Sequence, residues 1–190
     1  MGSKSVKEER NLNYGSRLKP IAIVIFFVLA ASSICAALVV WTHVSSRKHV
    51  IADRIVVEKS ARKLSVLRHG KEIRSYQIAL GGAPVGRKEE EGDMKTPEGV
   101  YTIDSRNPQS DFHLALHISY PGPDDESRAA SRGVSAGCDI EIHGLPNGHG
   151  SMGASDWQKD WTAGCIALTD EQIEELWRLV PDGTPIEIRP

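Results

Sequence analysis

Between Ile21 and Trp41 the chain carries 21 consecutive residues without a charge. At about 1.5 Å per helical residue such a run crosses the ~30 Å hydrocarbon core of a bilayer. No other part of the sequence restricts the architecture as strongly. Lys4, Lys7, Arg10, Arg17 and Lys19 precede the run, against Glu8 and Glu9, which gives residues 1–20 a net charge of +3 within a chain of −2. The positive-inside rule then makes residues 1–20 a cytoplasmic basic tail, 21–41 a single transmembrane helix, and everything after Trp41 extracytoplasmic. A cleavable signal peptide is the alternative. Its apolar core is shorter, about 7–15 residues, and ends at small residues, whereas this run ends in Val39-Val40-Trp41. An uncleaved anchor is therefore expected, in the inner (cytoplasmic) membrane. Cys35 reads as an apolar residue of the span, because bulky Ile34 before it argues against lipoprotein acylation.

Residues 42–53 read as a polar linker and 54–190 as one folded domain. The domain is acidic and has no basic stripe, which argues against nucleic acid as a partner. It has neither a Walker loop nor a dinucleotide fingerprint, so no cofactor is expected. Outside the span there are two cysteines, Cys138 and Cys165. In an oxidising compartment they are either one disulfide or two thiols.

Short β-rich segments at Arg54–Glu58, Leu64–Leu67, Ile73–Leu80, Val100–Ile103, His113–Ser119, Cys138–His143, Cys165–Leu168 and Pro185–Arg189 are punctuated by Gly, Pro and Asp turn signals. The charged loop Gly86–Gly99 reads as solvated at its tip, Glu89-Glu90-Glu91. A short surface helix is expected over Asp124–Arg132, capped by Asp124 or Asp125. A second is expected after Thr169, where Gln172 completes a capping box and Ile173, Leu176, Trp177 and Val180 form one face. The fold class is mainly β, a sandwich or partly open barrel with one or two short helices.

The stretch Trp161-Thr-Ala-Gly-Cys-Ile-Ala-Leu-Thr169 places Cys165 behind a glycine, where a short strand enters that second helix. Free cysteines are often merely small buried residues. A nucleophilic one needs a base and donors for the developing oxyanion. His143 is the leading base: strand alternation puts it on the face opposite Ile140 and Ile142, and Gly144 follows it. By the same alternation Cys138 sits with Ile140 and Ile142, as a buried structural thiol. His49 and His69 fall in linker and turn, and His149 in a Gly-His-Gly loop. His113 and His117 alternate with Leu114, Leu116 and Ile118, so they can share a face lining a cleft. Cys138, His143, His149 and Cys165 are spaced 5, 6 and 16 apart, which fits no common metal-ligand pattern.

The segments Gly92-Asp-Met-Lys-Thr-Pro-Glu-Gly-Val-Tyr101, Ile118-Ser-Tyr-Pro121, Ile140-Glu-Ile-His-Gly144 and Thr162-Ala-Gly-Cys-Ile166, in that order, resemble the YkuD-type catalytic domain of L,D-transpeptidases. These enzymes remodel peptidoglycan with a cysteine nucleophile. The resemblance implies that Cys165 is the nucleophile, His143 the base, and the carbonyl of Gly144 the group that orients the imidazole. It also implies that backbone N–H groups of Gly164 and Cys165 hold the oxyanion, and that Tyr120, Trp161, Thr162 and His117 contact substrate. The partners implied are peptidoglycan stem peptides and an amine or protein as acyl acceptor. Ala163 and Ala167 depart from the family pattern of a histidine and a polar residue, and the His143–Cys165 gap is longer than usual. The form Asp-Trp-Thr-Ala-Gly-Cys-Ile-Ala-Leu is similar to the YafK-like branch. Transfer of the acyl group, its hydrolysis, and a catalytically silent wall-binding module therefore stand as alternatives.

Overall fold

The computed structural model describes residues 51–148 and 159–190. The candidate span at 21–41, His49 and His149 lie outside them. Among the described residues no helix is long and apolar enough to cross a membrane.

Strands β1 (Arg54–Glu58), β2 (Lys63–Arg68), β3 (Lys71–Gln77), β4 (Gly99–Ser110), β5 (His113–Ile118), β6 (Glu141–His143), β7 (Ile166–Ala167) and β8 (Pro185–Arg189) join in one sheet, ordered β3-β2-β1-β8-β4-β5-β6-β7. Helix α1 (Pro123–Ser131) follows β5, and α2 (Asp170–Leu179) follows β7. The pairings β1–β8 and β6–β7 are parallel and the others antiparallel. β4 pairs with β8 through Gly99–Thr102 and with β5 from Ile103 onward, with register shifts after Ile103 and Asn107 that bend it between its two neighbours. Just past β3, Ala79 exchanges both backbone hydrogen bonds with Ala167 of β7, at 3.0 and 2.9 Å. The two ends of the sheet are thus joined by a backbone bridge, and the fold is mainly β with two helices, as expected.

The alternating apolar residues account for the core. Ile55, Val57, Leu64, Val66, Leu116, Ile118, Ile142, Ile166, Ile186 and Ile188 converge in it with Ile173 and Leu176 of α2. The α2 capping box is present: Gln172 N–H donates to Thr169 Oγ1 at 3.3 Å, and Thr169 N–H to Gln172 Oε1 at 3.1 Å. Ile173, Leu176 and Val180 are fully buried. Arg106 lies over the Trp177 ring at 4.9 Å and donates to the Trp177 carbonyl at 2.8 Å. The far half of β4 therefore clamps the end of α2.

Three local expectations are corrected. Helix α1 begins after Gly122, and Asp125 reaches back from the first turn to accept the Gly122 N–H at 3.0 Å, so neither aspartate is the cap residue itself. β4 runs on to Ser110, well past Ile103, because pairing with β5 outweighs a polar local sequence that reads as loop. The strand before His143 starts only at Glu141. Asp139 adopts φ +57°, which breaks the alternation. Cys138 is consequently exposed, not buried with Ile140 and Ile142, and its thiol donates to Asp139 Oδ2 at 2.9 Å.

Candidate active site

β6 and β7 bring the leading residues together. The register Ile142↔Ile166 and His143↔Ala167 sets Glu141 and His143 of β6 on the side opposite fully buried Ile142. Cys165 immediately precedes β7 and is half-buried. Its Sγ accepts the Glu141 backbone N–H at 3.4 Å and lies 3.5 Å from the Asp139 carbonyl.

His143 is almost wholly enclosed. Its Nδ1 lies 2.7 Å from the carbonyl oxygen of Gly144. A carbonyl oxygen only accepts, so Nδ1 carries the proton and Nε2 keeps its lone pair, the tautomer a base requires. Gly144 is fixed in turn. Its N–H donates to Phe112 O at 3.0 Å, and Leu145 N–H donates to Oδ1 of Asp170, the first residue of α2, at 2.9 Å. The helix after the cysteine therefore holds the turn that orients the histidine. Phe112 and Trp161 flank the imidazole, with ring centroids 4.5 and 5.8 Å away. Burial holds the imidazole below its ordinary pKa of 6.5, against the opposing effect of the Gly144 contact. Burial also pushes the Cys165 thiol up to about 11, partly offset by the Glu141 N–H and reinforced by the carboxylates of Glu141 and Asp139. The resting pair is thus neutral thiol and neutral imidazole. Such an arrangement suits proton transfer during attack, with no ion pair formed beforehand.

The loop carrying Cys165 is built on two close approaches. Gly164 has φ +136°, and a Cβ there would lie 2.8 Å from the Lys95 carbonyl. A Cβ on Gly81 would lie 2.2 Å from the Met94 carbonyl and 3.1 Å from Gly164 Cα. Only glycine fits either position. Asp160 anchors the loop from the other side by accepting both Arg62 and the Leu80 N–H, the latter at 3.0 Å. Thr162 is buried. Its hydroxyl donates to the Cys165 carbonyl at 2.7 Å and accepts the Gly164 N–H at 3.2 Å.

These contacts sort the expected site residues. His143, Gly144, Gly164, Cys165 and Trp161 are gathered at one place. Thr162 braces the loop from within, so its expected substrate contact is replaced by a structural one. The Gly164 N–H is engaged by Thr162 and unavailable to an oxyanion, whereas the Cys165 N–H has no acceptor among the described residues. Tyr120 is buried in the core, its hydroxyl given to the Ala136 carbonyl at 2.8 Å. His113 and His117 do not share a cleft. His113 adopts φ +66° and turns to Glu174 of α2 at 3.0 Å, while His117 stands opposite Glu141 with Nδ1 2.6 Å from Asp104 Oδ1. Ala163 is exposed beside the cysteine, but Ala167 is fully buried in β7.

Phe112, Glu141, Asp170 and the Arg62–Asp160 pair were not singled out by the sequence. Phe112 is the one with a signal, an aromatic residue in the otherwise polar connection Asp111–His113.

The model of the YkuD family, described as the L,D-transpeptidase catalytic domain, matches residues 52–188. Two bacterial proteins bearing L,D-transpeptidase names are similar. YafK of Escherichia coli (strain K12) is 27% identical over 108 residues, which is 56% of this chain and 36% of YafK. YqjB of Bacillus subtilis (strain 168) is 27% identical over 137 residues, 70% of this chain and 69% of YqjB. Among solved structures, the helical cell shape determining protein Pgp2 of Campylobacter jejuni superposes with a TM-score of 0.55 at 27% identity, covering 78% of this chain and 54% of Pgp2. Bd1075 of Bdellovibrio bacteriovorus gives 0.53 at 28%, covering 76% and 50%. This chain thus spans about a third of YafK and about half of each solved structure.

Proposed function

Because this chain belongs to the YkuD family of L,D-transpeptidase catalytic domains, we propose that it is a membrane-anchored cysteine acyltransferase that remodels peptidoglycan stem peptides. The observation that carries the reading is the Nδ1–H to Gly144 contact, which leaves His143 Nε2 free to act as a base on the face of β6 shared with Glu141, whose backbone N–H reaches Cys165 Sγ. In the proposed reaction Nε2 takes the Cys165 proton as Sγ attacks the carbonyl of the L-centre of a diamino acid such as meso-diaminopimelate. The Cys165 N–H receives the developing oxyanion. Collapse expels D-alanine, which leaves as the amine after taking the proton back from Nε2. An acceptor amine then attacks the thioester and passes its proton to Nε2; as the L,D bond forms the C–S bond breaks, and Nε2 returns that proton to Sγ, restoring the thiol and the neutral imidazole.

Hydrolysis is the second reading, and exposed Ala163 is what favours it: the methyl leaves room for water beside the thioester. The full-length protein, given a disaccharide tetrapeptide with and without D-methionine, separates the two. Transfer exchanges the terminal D-alanine for D-methionine, seen by mass spectrometry of the muropeptides. Tripeptide alone, formed at a rate independent of D-methionine, refutes transfer in favour of hydrolysis. No thioester and no product would leave the silent wall-binding module.

The proposed site of action is outside the cytoplasmic membrane, with residues 1–20 inside. β-Lactamase fused after Pro190 should protect cells against ampicillin. A reporter active only in the cytoplasm at that position would overturn the cell-wall assignment.

A further inference from the structure

One carboxylate beside Cys165 has no part in the reaction above. Glu141 is half-buried, and its backbone N–H already touches Sγ at 3.4 Å. Two residues before His143 in the same strand, its side chain leaves the sheet on the same face as the imidazole. Among the described residues no donor pairs with its carboxylate, which reaches solvent. Directly across the β5–β6 ladder stands His117, and opposed side chains in an antiparallel pair lie with Cβ atoms about 5 Å apart. Asp104 holds the Nδ1 of His117 at 2.6 Å. If that carboxylate accepts from Nδ1, Nε2 is left as an acceptor.

The cysteine is therefore bordered by the Glu141 carboxylate, which has no hydrogen-bonded cation among the described residues, and, when the His117 ring is neutral, by a neighbouring acceptor. A primary ammonium group carries three N–H donors and one positive charge, and satisfies both at once. Burial pushes the Glu141 carboxyl up, a positive charge on His117 opposes this and Asp139 reinforces it; a bound cation would act in the same direction as a charged His117.

We propose that Glu141, with His117 opposite it, is the subsite that receives a primary ammonium group on the acyl donor, and so selects stem peptides whose diamino acid keeps a free amine. This rests on the peptidoglycan reading given above. In that setting the free amine belongs to the far end of the same residue whose L-centre carbonyl is attacked. One contact beside the thiol would then both select the donor and set its carbonyl toward Sγ. Glu141 acts here as a specificity-determining residue; proton transfer stays with His143.

The test is a comparison of two donors on the full-length protein in detergent: the tetrapeptide L-Ala-γ-D-Glu-meso-diaminopimelyl-D-Ala, and the same peptide with the far amine acetylated. Wild type should lose about 10- to 100-fold in kcat/KM on acetylation, the range for one charged hydrogen bond. In Glu141→Gln, which keeps the side chain's shape and the backbone contact to sulfur, the acetylation penalty should vanish, and His117→Ala should shrink it. An equal penalty in wild type and Glu141→Gln would overturn the proposal while leaving the acyltransferase reading intact. Binding of both peptides to Cys165→Ala, and to the same variant carrying Glu141→Gln, is followed by NMR as a readout independent of turnover. A free-amine preference that depends on Glu141 supports the subsite even if wild type turns over neither peptide, which would count against the enzyme reading alone. Equal binding of the two peptides refutes the subsite.

Discussion

Cys165→Ser is expected to abolish acyl transfer, and His143→Ala to lower it by roughly 10²–10⁴-fold, the usual worth of a positioned general base. The two effects differ in kind. Serine retains a proton far more tightly than a thiol, and the site assists little, since burial already pushes the Cys165 thiol up to about 11. His143→Ala leaves the nucleophile in place but removes the group that takes its proton during attack. The resting ionisation gives the pH signature. Neutral imidazole persists down to its lowered pKa, so the acid limb of kcat/KM should fall below the ordinary imidazole value of 6.5. Alkylation by iodoacetamide, which needs thiolate already formed, should be slow at pH 7 and climb about tenfold per pH unit toward the thiol pKa. An alkylation rate already at its plateau near pH 7 would mean a preformed thiolate–imidazolium pair, and the neutral-pair mechanism would be wrong.

Gly81→Ala should be among the most damaging single-methyl changes in the domain, although residue 81 touches no substrate. The added Cβ would stand 2.2 Å from the Met94 carbonyl and 3.1 Å from Gly164 Cα. Both are backbone, so no rotamer change relieves the overlap. Overpacking of this type costs about 3 kcal/mol at the upper end of the usual range. For a domain of this size that corresponds to a fall in Tm of roughly 10 °C. Since Gly164 precedes the cysteine, the displaced loop should also lower acylation in molecules that remain folded. Gly82→Ala is the matched control. Its Cβ would meet nothing closer than 3.6 Å, so its stability should stay within about 0.5 kcal/mol of wild type. Differential scanning calorimetry of the two variants decides the matter. Equal Tm values would show that the Gly81–Met94 approach does not constrain the fold.

Local periodicity was enough to read β1, β8 and the whole of α2, including the Thr169–Gln172 cap, because those signals are written within a few residues of one another. It was also enough to set His143 on the face opposite Ile142. Alternation failed where one residue broke it: Asp139 at φ +57°, two residues after Gly137 at φ +77°, exposed Cys138. What the tertiary structure alone decided is of longer range. Arg62 meets Asp160 across 98 residues, Ala79 closes the sheet on Ala167, and Asp170 holds the Gly144 turn 25 residues behind it. Each is a single polar or backbone contact with no period and no composition to betray it. Phe112 and Glu141 became site residues only because β5 and β6 pair in one register, a choice made by the collective burial of Leu116, Ile142 and Ile166 and legible in none of them singly. The chain's own residues thus name the proposed reactive pair. The pairing of its strands decides what surrounds it, because register is fixed by the whole apolar face at once.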